Sequence, residues 1–242
     1  MFDAISSVFS FLTIIPSKNQ RLEYIAQNIH LFPIVGIIIG IIISIINFVF
    51  LLFLHPLLSS LFIVLLLMVI TGLHHMDGLI DFSDGVMTKG NKTKKIQSMK
   101  DTAIGSAGTL TSIFYIISLI LIISMLHEFV ALKAIILSEM MAKFSMVLQA
   151  RINSSTPSSI SFLFIKHIKH NDKMMIFATL ILMTVSITFA GVLGLLVATI
   201  VSVAVLMIGF ISRINFGGVS GDVFGATNEL TRLISLFVFV VA

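Results

Sequence analysis

Closely spaced aspartates are the feature of the sequence that most clearly suggests chemistry. Asp77, Asp81 and Asp84 lie in the segment 71–85, in a chain of which only 11% of residues are charged. On a helix, spacings of four and three residues keep the three carboxylates within an arc of about 60°. Like charges on one face repel each other unless a cation lies between them, and Mg²⁺ prefers carboxylate oxygen and phosphate. The segment therefore predicts a Mg²⁺ site, and the alternative is a solvated polar face at a helix end.

A second segment, 215–230, is rich in glycine and carries two acidic residues before the last apolar run. Its backbone can approach a ligand closely, and its N–H groups can line a phosphate-binding concavity. The residues concerned are Gly217, Gly218, Ser220 and Gly221. A helix that begins near Ser220 would place Asp222 and Glu229 on one face, although Ser220 could equally be a plain N-cap. We expect Asp222 to lie near the first cluster, so that both segments form one metal-phosphate site.

The composition places these segments in a membrane protein. Hydrophobic residues make up 57% of the 242 residues, and the mean hydropathy is +1.13, which is typical of membrane helices. The polar connections are too short to bury a core of their own, so residues 1–242 are expected to form a single integral membrane domain. We predict an all-α, polytopic helical bundle with about seven spanning helices, at 33–54, 57–73, 107–126, 129–150, 174–191, 194–211 and 230–242. The last run is short and could instead pack as a half-helix.

Positive charge is distributed unevenly between the connections of these spans. Lysines and arginines fall on one side, including Arg213 and Arg232 before the last span, whereas the connections on the other side have none. The positive-inside rule therefore predicts a multi-pass protein of the cell membrane with its acidic cluster on the cytoplasmic side. This bias explains the net charge of +4. Membrane lipids are thus expected partners, and nucleic acid is not.

Ionisable residues also occur inside the predicted span 129–150, where they are costly and often functional. They are Lys133, Glu139 and Lys143. Glu139 and Lys143 are four residues apart in the order that favours an ion pair, and Lys133 can extend its ammonium group to the outer surface. The alternative is that these side chains line a substrate cavity.

The segments resemble the cobalamin synthase family of adenosylcobinamide-GDP ribazoletransferases. Residues 75–85 are similar to the family signature His-x-Asp-Gly-Leu-x-Asp-x-x-Asp-Gly, and 99–108 and 217–226 continue the likeness. Residues 11–16 and 32–40 match the N-terminal pattern, so the likeness spans nearly the whole chain in the same order. Two positions depart from the pattern: Thr102 replaces a serine and Ala103 replaces an arginine. One phosphate contact is therefore in question, with Lys100 as the nearest substitute.

This resemblance implies the closing condensation of cobalamin (vitamin B12) biosynthesis. Such an enzyme joins adenosylcobinamide-GDP to α-ribazole or α-ribazole 5′-phosphate and releases GMP, with Mg²⁺ required. The implied catalytic residues are Asp77, Asp81, Asp84 and Asp222, of which the first three also bind the metal. The implied substrate-binding residues are His75, Lys100, Asp101, Gly105, Gly217, Gly218, Ser220 and Gly221. The family pattern points to His75, whereas helix geometry places His74 on the aspartate face.

Two other classes of membrane protein remain open from the residues alone. A CDP-alcohol phosphotransferase-like lipid enzyme also uses spaced aspartates in a membrane bundle, but its Asp-Gly-x-x-Ala-Arg pattern is lacking here. A cation-coupled transporter would place its acidic residues at the bilayer midplane, on broken helices of an inverted repeat. The sequence does not determine the general base or the oligomeric state, and it is compatible with an oligomer.

Overall fold

A computed structural model describes residues 2–17, 20–156 and 159–242. These residues are almost entirely helical, with one isolated bridge between Ser155 and Val219, which confirms the predicted all-α class. The helices are α1 Phe2–Leu12, α2 Leu22–Gln27, α3 Phe32–Leu51, α4 Pro56–Ile70, α5 His74–Met87, α6 Lys92–Met99, α7 Ser106–Met125, α8 Glu128–Ile152, α9 Ser161–Ile168, α10 Asp172–Phe216 and α11 Gly221–Val241. A 3₁₀ turn, Ile29–Leu31, leads into α3.

Four helical segments are long and apolar enough to cross a membrane, which makes the chain a multi-pass membrane protein. They are Ile29–Leu51, α7, α10 and α11. The pair α4 and α5 is a fifth candidate, broken by a bend of 92°. Because α5 alone has 14 residues and carries the three aspartates, we assign it a position outside the spanning segments, at the end of α4.

The predicted count of about seven spans is roughly consistent with these four or five segments, because α10 contains two predicted spans and the long helix α8 carries internal charges. α8 has 25 residues, but its internal charges make it less apolar than the four spans. α4 has only 15 residues, fewer than the roughly 20 that cross a bilayer. The predicted spans 174–191 and 194–211 both fall within α10. The predicted span 230–242 is the second half of α11, which has 21 residues and is therefore a full-length helix.

α10 folds back on itself near its middle. A straight helix of 45 residues would be about 68 Å long, more than twice the thickness of the hydrocarbon core. Gly191 has φ 56° and ψ −129°, and a Cβ on Gly194 would overlap the carbonyl oxygen of Ser186. Eight residues of straight helix would separate these positions by about 12 Å. The chain therefore reverses at Gly191, in agreement with two predicted spans joined by a tight turn.

α8 is the central helix of the bundle, with α3, α10 and α11 packed around it. Two glycines let α3 approach the α8 backbone. A Cβ on Gly36 would lie 2.5 Å from the carbonyl oxygen of Glu139, and one on Gly40 would lie 2.7 Å from Cα of Ile136. The Gly36–Gly40 step therefore makes a close helix–helix contact, as small residues at this spacing do in membranes.

A buried ion network joins α7, α8 and α11 through Tyr115, Glu139, Lys143, Asn228, Glu229 and Arg232. Arg232 donates from Nε and Nη2 to the two carboxylate oxygens of Glu139, the second at 3.2 Å, and from Nη1 to Glu229. Lys143 donates to the side-chain oxygen of Asn228 at 2.7 Å and lies 3.6 Å from Glu139. Two cations and two anions balance, so the low-dielectric interior holds no net charge.

This network bears on three predictions. Glu139 and Lys143 form the predicted ion pair. Arg232, which the charge pattern assigned to a cytoplasmic connection, is instead buried in the bundle interior. Glu229 shares a helix with Asp222 that begins next to Ser220, as predicted, and it binds Arg232 and the Tyr115 hydroxyl. These charges hold helices together and do not line the acidic site.

Candidate active site

The site is built where α5 crosses α11 with almost no side chain between them. A Cβ on Gly78 would lie 2.8 Å from the carbonyl oxygen of Asp222 and 3.1 Å from Cα of Gly225. A Cβ on Gly225 would lie 2.9 Å from the carbonyl oxygen of His75. Glycine at both positions therefore permits backbone contact, and the crossing brings the two predicted motifs together.

The aspartates at this crossing lie in different surroundings. The Asp77 side chain is exposed, whereas Asp81 and Asp222 are half-buried. Burial is the main reason why the pKa of Asp81 rises to about 6, and the charges of three neighbouring aspartates raise it further. Asp222 makes the largest of these charge contributions. Asp81 and Asp222 are therefore close enough to repel each other, although they belong to distant segments of the chain.

Asp84 of α5 accepts hydrogen bonds from the N-terminus of the neighbouring helix α7. Its two carboxylate oxygens accept hydrogen bonds from the N–H groups of Gly105 and Gly108, each at 2.8 Å. These groups belong to the first turn of α7, where a negative charge also favours the helix dipole. A Cβ on Gly105 would overlap the Asp84 carboxylate. The predicted substrate-binding residue Gly105 is thus already hydrogen-bonded within the protein.

The glycine-rich segment is also held by the protein's own backbone. Gly217 ends α10 with φ 84°, and its N–H donates to the carbonyl of Arg213 at 3.0 Å. A Cβ on Gly218 would lie 2.6 Å from the carbonyl oxygen of Ser154, because the segment pairs there with residues 154–156. Gly218 is buried and Gly217 is exposed. The pairing fixes the position from which α11 and Asp222 begin.

Ser220 is the N-cap of α11, which is one of the two roles that the sequence suggested for this residue. Its Oγ accepts from the N–H of Val223 at 3.3 Å and donates to Asp222 at 3.1 Å. The hydroxyl therefore orients the Asp222 carboxylate while it caps the helix. Both residues line a cavity of about 440 Å³ that also includes Lys100, which we call the lysine cavity.

A second cavity, of about 340 Å³, is also lined by Asp222. Its walls carry both histidines of α5 and four phenylalanine rings, and we call it the phenylalanine cavity. Its aromatic residues are Phe11, Phe32, His74, His75, Phe164 and Phe224. Ile160, Gly221 and Asp222 line both cavities. Asp222 therefore borders two spaces of different chemistry.

His74 and His75 both face the phenylalanine cavity, although they differ in exposure. Their rings lie with centroids 4.3 Å apart, and His74 is exposed whereas His75 is buried. Burial lowers the pKa of both imidazoles, most strongly that of His75. Nδ1 of His75 has no hydrogen-bond partner among the described residues. The buried His75 is therefore a neutral ring with an unused polar atom beside the site.

Asp101 lies at the edge of the assembly. Its Oδ1 accepts from the N–H of Ala103 at 3.1 Å, a local turn. Asp101 shares a shallow cavity of about 290 Å³ with Asp84 and Gly105. This cavity lies on the α7 side of Asp84, so Asp101 is separate from the spaces that Asp222 borders.

The donor chemistry of the crossing fits a divalent cation. The carboxylates of Asp77, Asp81 and Asp222 supply the oxygen ligands that Mg²⁺ prefers, and a cation would relieve the repulsion that raises the pKa of Asp81. Within the described ranges, no three acidic or histidine side chains already converge as a ligand set. The oxygens of Asp84 are committed to α7, so Asp84 as a metal ligand stays a prediction.

Sequence reasoning missed the phenylalanines of the second cavity. Phe11 and Phe32 lie in the N-terminal segments that resemble the family, yet an apolar residue in a membrane chain carries no signal of a site by itself. Their rings pack at a centroid distance of 6.1 Å, and Phe164 packs against Phe11 at 5.4 Å. Only the tertiary arrangement shows that these residues share a wall.

The helical bundle and its carboxylate-lined cavities place the chain in the class of multi-pass membrane enzymes. More specifically, the chain belongs to the Cobalamin-5-phosphate synthase family, whose model matches residues 4–240.

The adenosylcobinamide-GDP ribazoletransferase of Thermoanaerobacter pseudethanolicus is 30% identical over 211 residues, which cover 86% of this chain and 84% of that protein. The protein of the same name from Thermococcus kodakarensis is 30% identical, with 96% of each chain covered. The one from Archaeoglobus fulgidus is 29% identical, with 100% of this chain and 99% of that protein covered. No solved structure gives a significant match.

Proposed function

We propose that the protein is a membrane-embedded adenosylcobinamide-GDP ribazoletransferase of cobalamin biosynthesis. It joins adenosylcobinamide-GDP to α-ribazole or α-ribazole 5′-phosphate and releases GMP. The family membership and the similar proteins of this name support the reaction class. The charge distribution supports an active site on the cytoplasmic side of the membrane.

The observation that carries this proposal is the position of Asp222 in the walls of both cavities. A transferase that joins two substrates needs one space for each and a reacting point where they meet. The lysine cavity offers a cationic group, Lys100, to a diphosphate, and the phenylalanine cavity offers an apolar aromatic space. Asp222 borders both and lies close to Asp81.

In the proposed reaction, a ribose hydroxyl of α-ribazole attacks the phosphorus on the cobinamide side of the diphosphate. The new P–O bond forms as the bond to the bridging oxygen breaks, and that oxygen leaves on GMP. Asp222, which Ser220 holds in place, accepts the hydroxyl proton. A positioned carboxylate of this kind is a suitable general base. Lys100, which lines the same cavity, orients the diphosphate.

Mg²⁺, when bound, neutralises charge on the bridging and leaving phosphate oxygens. We propose Asp77 and Asp81 as its principal protein ligands, because their carboxylates face the crossing beside Asp222. Asp84 completes the set only if it shares oxygens that already accept two N–H groups. Its established contribution in the fold is to hold α7 against α5.

GMP release tests the proposal directly. The purified full-length protein, in detergent or nanodiscs with Mg²⁺, should release GMP from adenosylcobinamide-GDP only when α-ribazole or its 5′-phosphate is present. Asp77→Asn, which changes an exposed side chain, should abolish the release without loss of folded protein. GMP release that is independent of the nucleoside, or the absence of release by wild-type protein, would contradict the proposal.

A further inference from the structure

The phenylalanine cavity has a composition that the reaction class alone does not explain. Phe32, Phe164 and Phe224 are buried, and their rings are mutually packed, with Phe164 at 5.8 Å from Phe32 and 6.2 Å from Phe224. A volume of about 340 Å³ is within the roughly 300–1,000 Å³ range of small-molecule sites. Packed aromatic walls favour a flat, apolar ligand that can stack on them.

The wall of this cavity includes a buried polar side chain with an unused hydrogen-bonding atom. His75 is 4% exposed, and its Nδ1 has no partner among the described residues. A buried polar group without a partner costs free energy, so its presence beside a cavity points to a ligand that satisfies it. A flat ligand with one hydrogen-bonding ring nitrogen meets both requirements.

We propose that the phenylalanine cavity binds the aromatic base of the ribazole nucleoside against the wall that holds Phe164 and Phe224, with His75 Nδ1 donating to its unsubstituted ring nitrogen. This inference rests on the proposed function, because that function supplies a nucleoside substrate. The inference adds to that function the part of the protein that selects the base. With the base in this cavity, the attached ribose extends toward Asp222, which borders the same space.

The alternative occupants fit less well. The guanosine diphosphate part of the other substrate is anionic and matches the lysine cavity, which holds Lys100. The corrin macrocycle is much larger than a two-ring base and carries polar amides around its edge. Walls made mainly of aromatic and apolar side chains offer these amides few partners.

Substitutions that remove the aromatic face but keep an apolar side chain test the assignment. Phe164→Leu and Phe224→Leu should each raise KM for α-ribazole about tenfold or more and change KM for adenosylcobinamide-GDP less than about twofold. Phe62→Leu is the matched control, because Phe62 is 46% exposed on α4 and pairs with Phe50 away from the cavity. A rise in KM for adenosylcobinamide-GDP alone, or no change in either KM, would overturn the inference.

A comparison of ligands on the wild-type protein tests the role of His75 without any risk of misfolding. We expect α-ribazole to bind about tenfold more tightly than a phenolic α-riboside, which has an aromatic ring but no acceptor nitrogen. His75→Phe, which keeps an aromatic ring, should remove this preference. Equal binding of the two nucleosides to the wild-type protein would overturn the hydrogen bond to His75.

These measurements separate the inference from the proposed function. If the wild-type protein releases no GMP, the proposed function fails. If it releases GMP but the two Leu variants leave KM for α-ribazole unchanged, the function stands and the base lies elsewhere. Calorimetry of α-ribazole binding to the full-length protein tests the location of the base without turnover. The inference requires that both Leu variants lose affinity for α-ribazole.

Discussion

The backbone of Asp222 lies directly against Gly78, so the two segments that carry the acidic residues touch without an intervening side chain. A Cβ at position 78 would be 2.8 Å from the carbonyl oxygen of Asp222 and 3.1 Å from its Cα. Backbone atoms cannot rotate away as a side chain can, so any larger residue at position 78 would separate α5 from α11. The distance between Asp81 and Asp222 therefore depends on a glycine that has no chemical role.

The first prediction concerns cooperation between the two aspartates. Asp222→Ala and Asp81→Ala should each reduce kcat severely, and the double variant should lose much less than the sum, because residues that serve one assembly act as a unit. The control is Glu128→Ala, which changes an exposed acidic residue that lines neither cavity, and its effect should simply add to that of Asp222→Ala. Additive losses in the double variant would show that the two aspartates act independently.

The second prediction concerns metal. A chelator should abolish GMP release by the wild-type protein, and added Mg²⁺ should restore it. Asp77→Asn and Asp81→Asn should each insert and fold yet lose orders of magnitude in turnover, because a ligand that stabilises developing charge supplies several kcal/mol of the barrier reduction. Near-normal turnover in both variants would contradict the metal site and favour the alternative, in which these aspartates form a solvated polar face.

The third prediction separates the structural role of Asp84 from the chemistry of Asp77. Asp84→Asn keeps one acceptor oxygen and places an NH₂ group against one of the two N–H donors of α7. We expect it to lower the free energy of unfolding by about 1–2 kcal/mol. Asp77→Asn, on the same helix, should leave thermal unfolding unchanged. If the two variants unfold at the same temperature, the hydrogen bonds to Gly105 and Gly108 do not stabilise α7.

The fourth prediction compares two arginines that the sequence alone does not distinguish. Arg232→Met leaves Glu139 and Glu229 without their shared cation in the bundle interior, so it should destabilise the protein by about 3–5 kcal/mol. Arg213→Met changes an exposed side chain at the end of α10 and should have little effect. Thermal unfolding in detergent measures both, and equal stability would contradict the buried network.

The fifth prediction concerns orientation in the membrane. The chain has no cysteine, so single cysteines can be labelled without background. Lys94→Cys and Lys169→Cys should react only with reagents that reach the cytoplasm, whereas His127→Cys should react from outside the intact cell. Labelling of Lys94→Cys from outside would place the acidic crossing on the opposite face and separate it from cytoplasmic nucleotides.

Local spacing was sufficient to predict the parts of the site that lie on one helix. The aspartates of α5 fall within a single helix, and Ser220 caps α11 directly before Asp222. These features depend only on helix periodicity and on residue preferences at helix ends. The small residues of α3 were also informative, because close backbone packing requires them wherever the partner lies.

Features that depend on a partner far along the chain could not be predicted in this way. Asp84 has the spacing of a metal ligand, but the donors to it lie on α7. From the sequence alone, Arg232 is interpreted as a charge in a loop, because its counter-ion Glu139 is 93 residues away in sequence. Buried charge in a membrane chain is interpretable only when both members of the pair are known.

The separation of Glu139 from Arg232 has a consequence for how the protein is made. Synthesis reaches α8 long before α11, and each charge at the centre of an inserting helix opposes entry into the bilayer by about 2.5–3.5 kcal/mol. Glu139 is therefore without Arg232, a main counter-ion, for 93 residues of translation. During this interval Lys143, four residues along the same helix, offsets part of the charge of Glu139, and the ion pair with Arg232 forms only once α11 is present. The charge balance around α8 therefore couples an early part of the chain to one made much later, so membrane insertion of α8 and synthesis of α11 are expected to be linked.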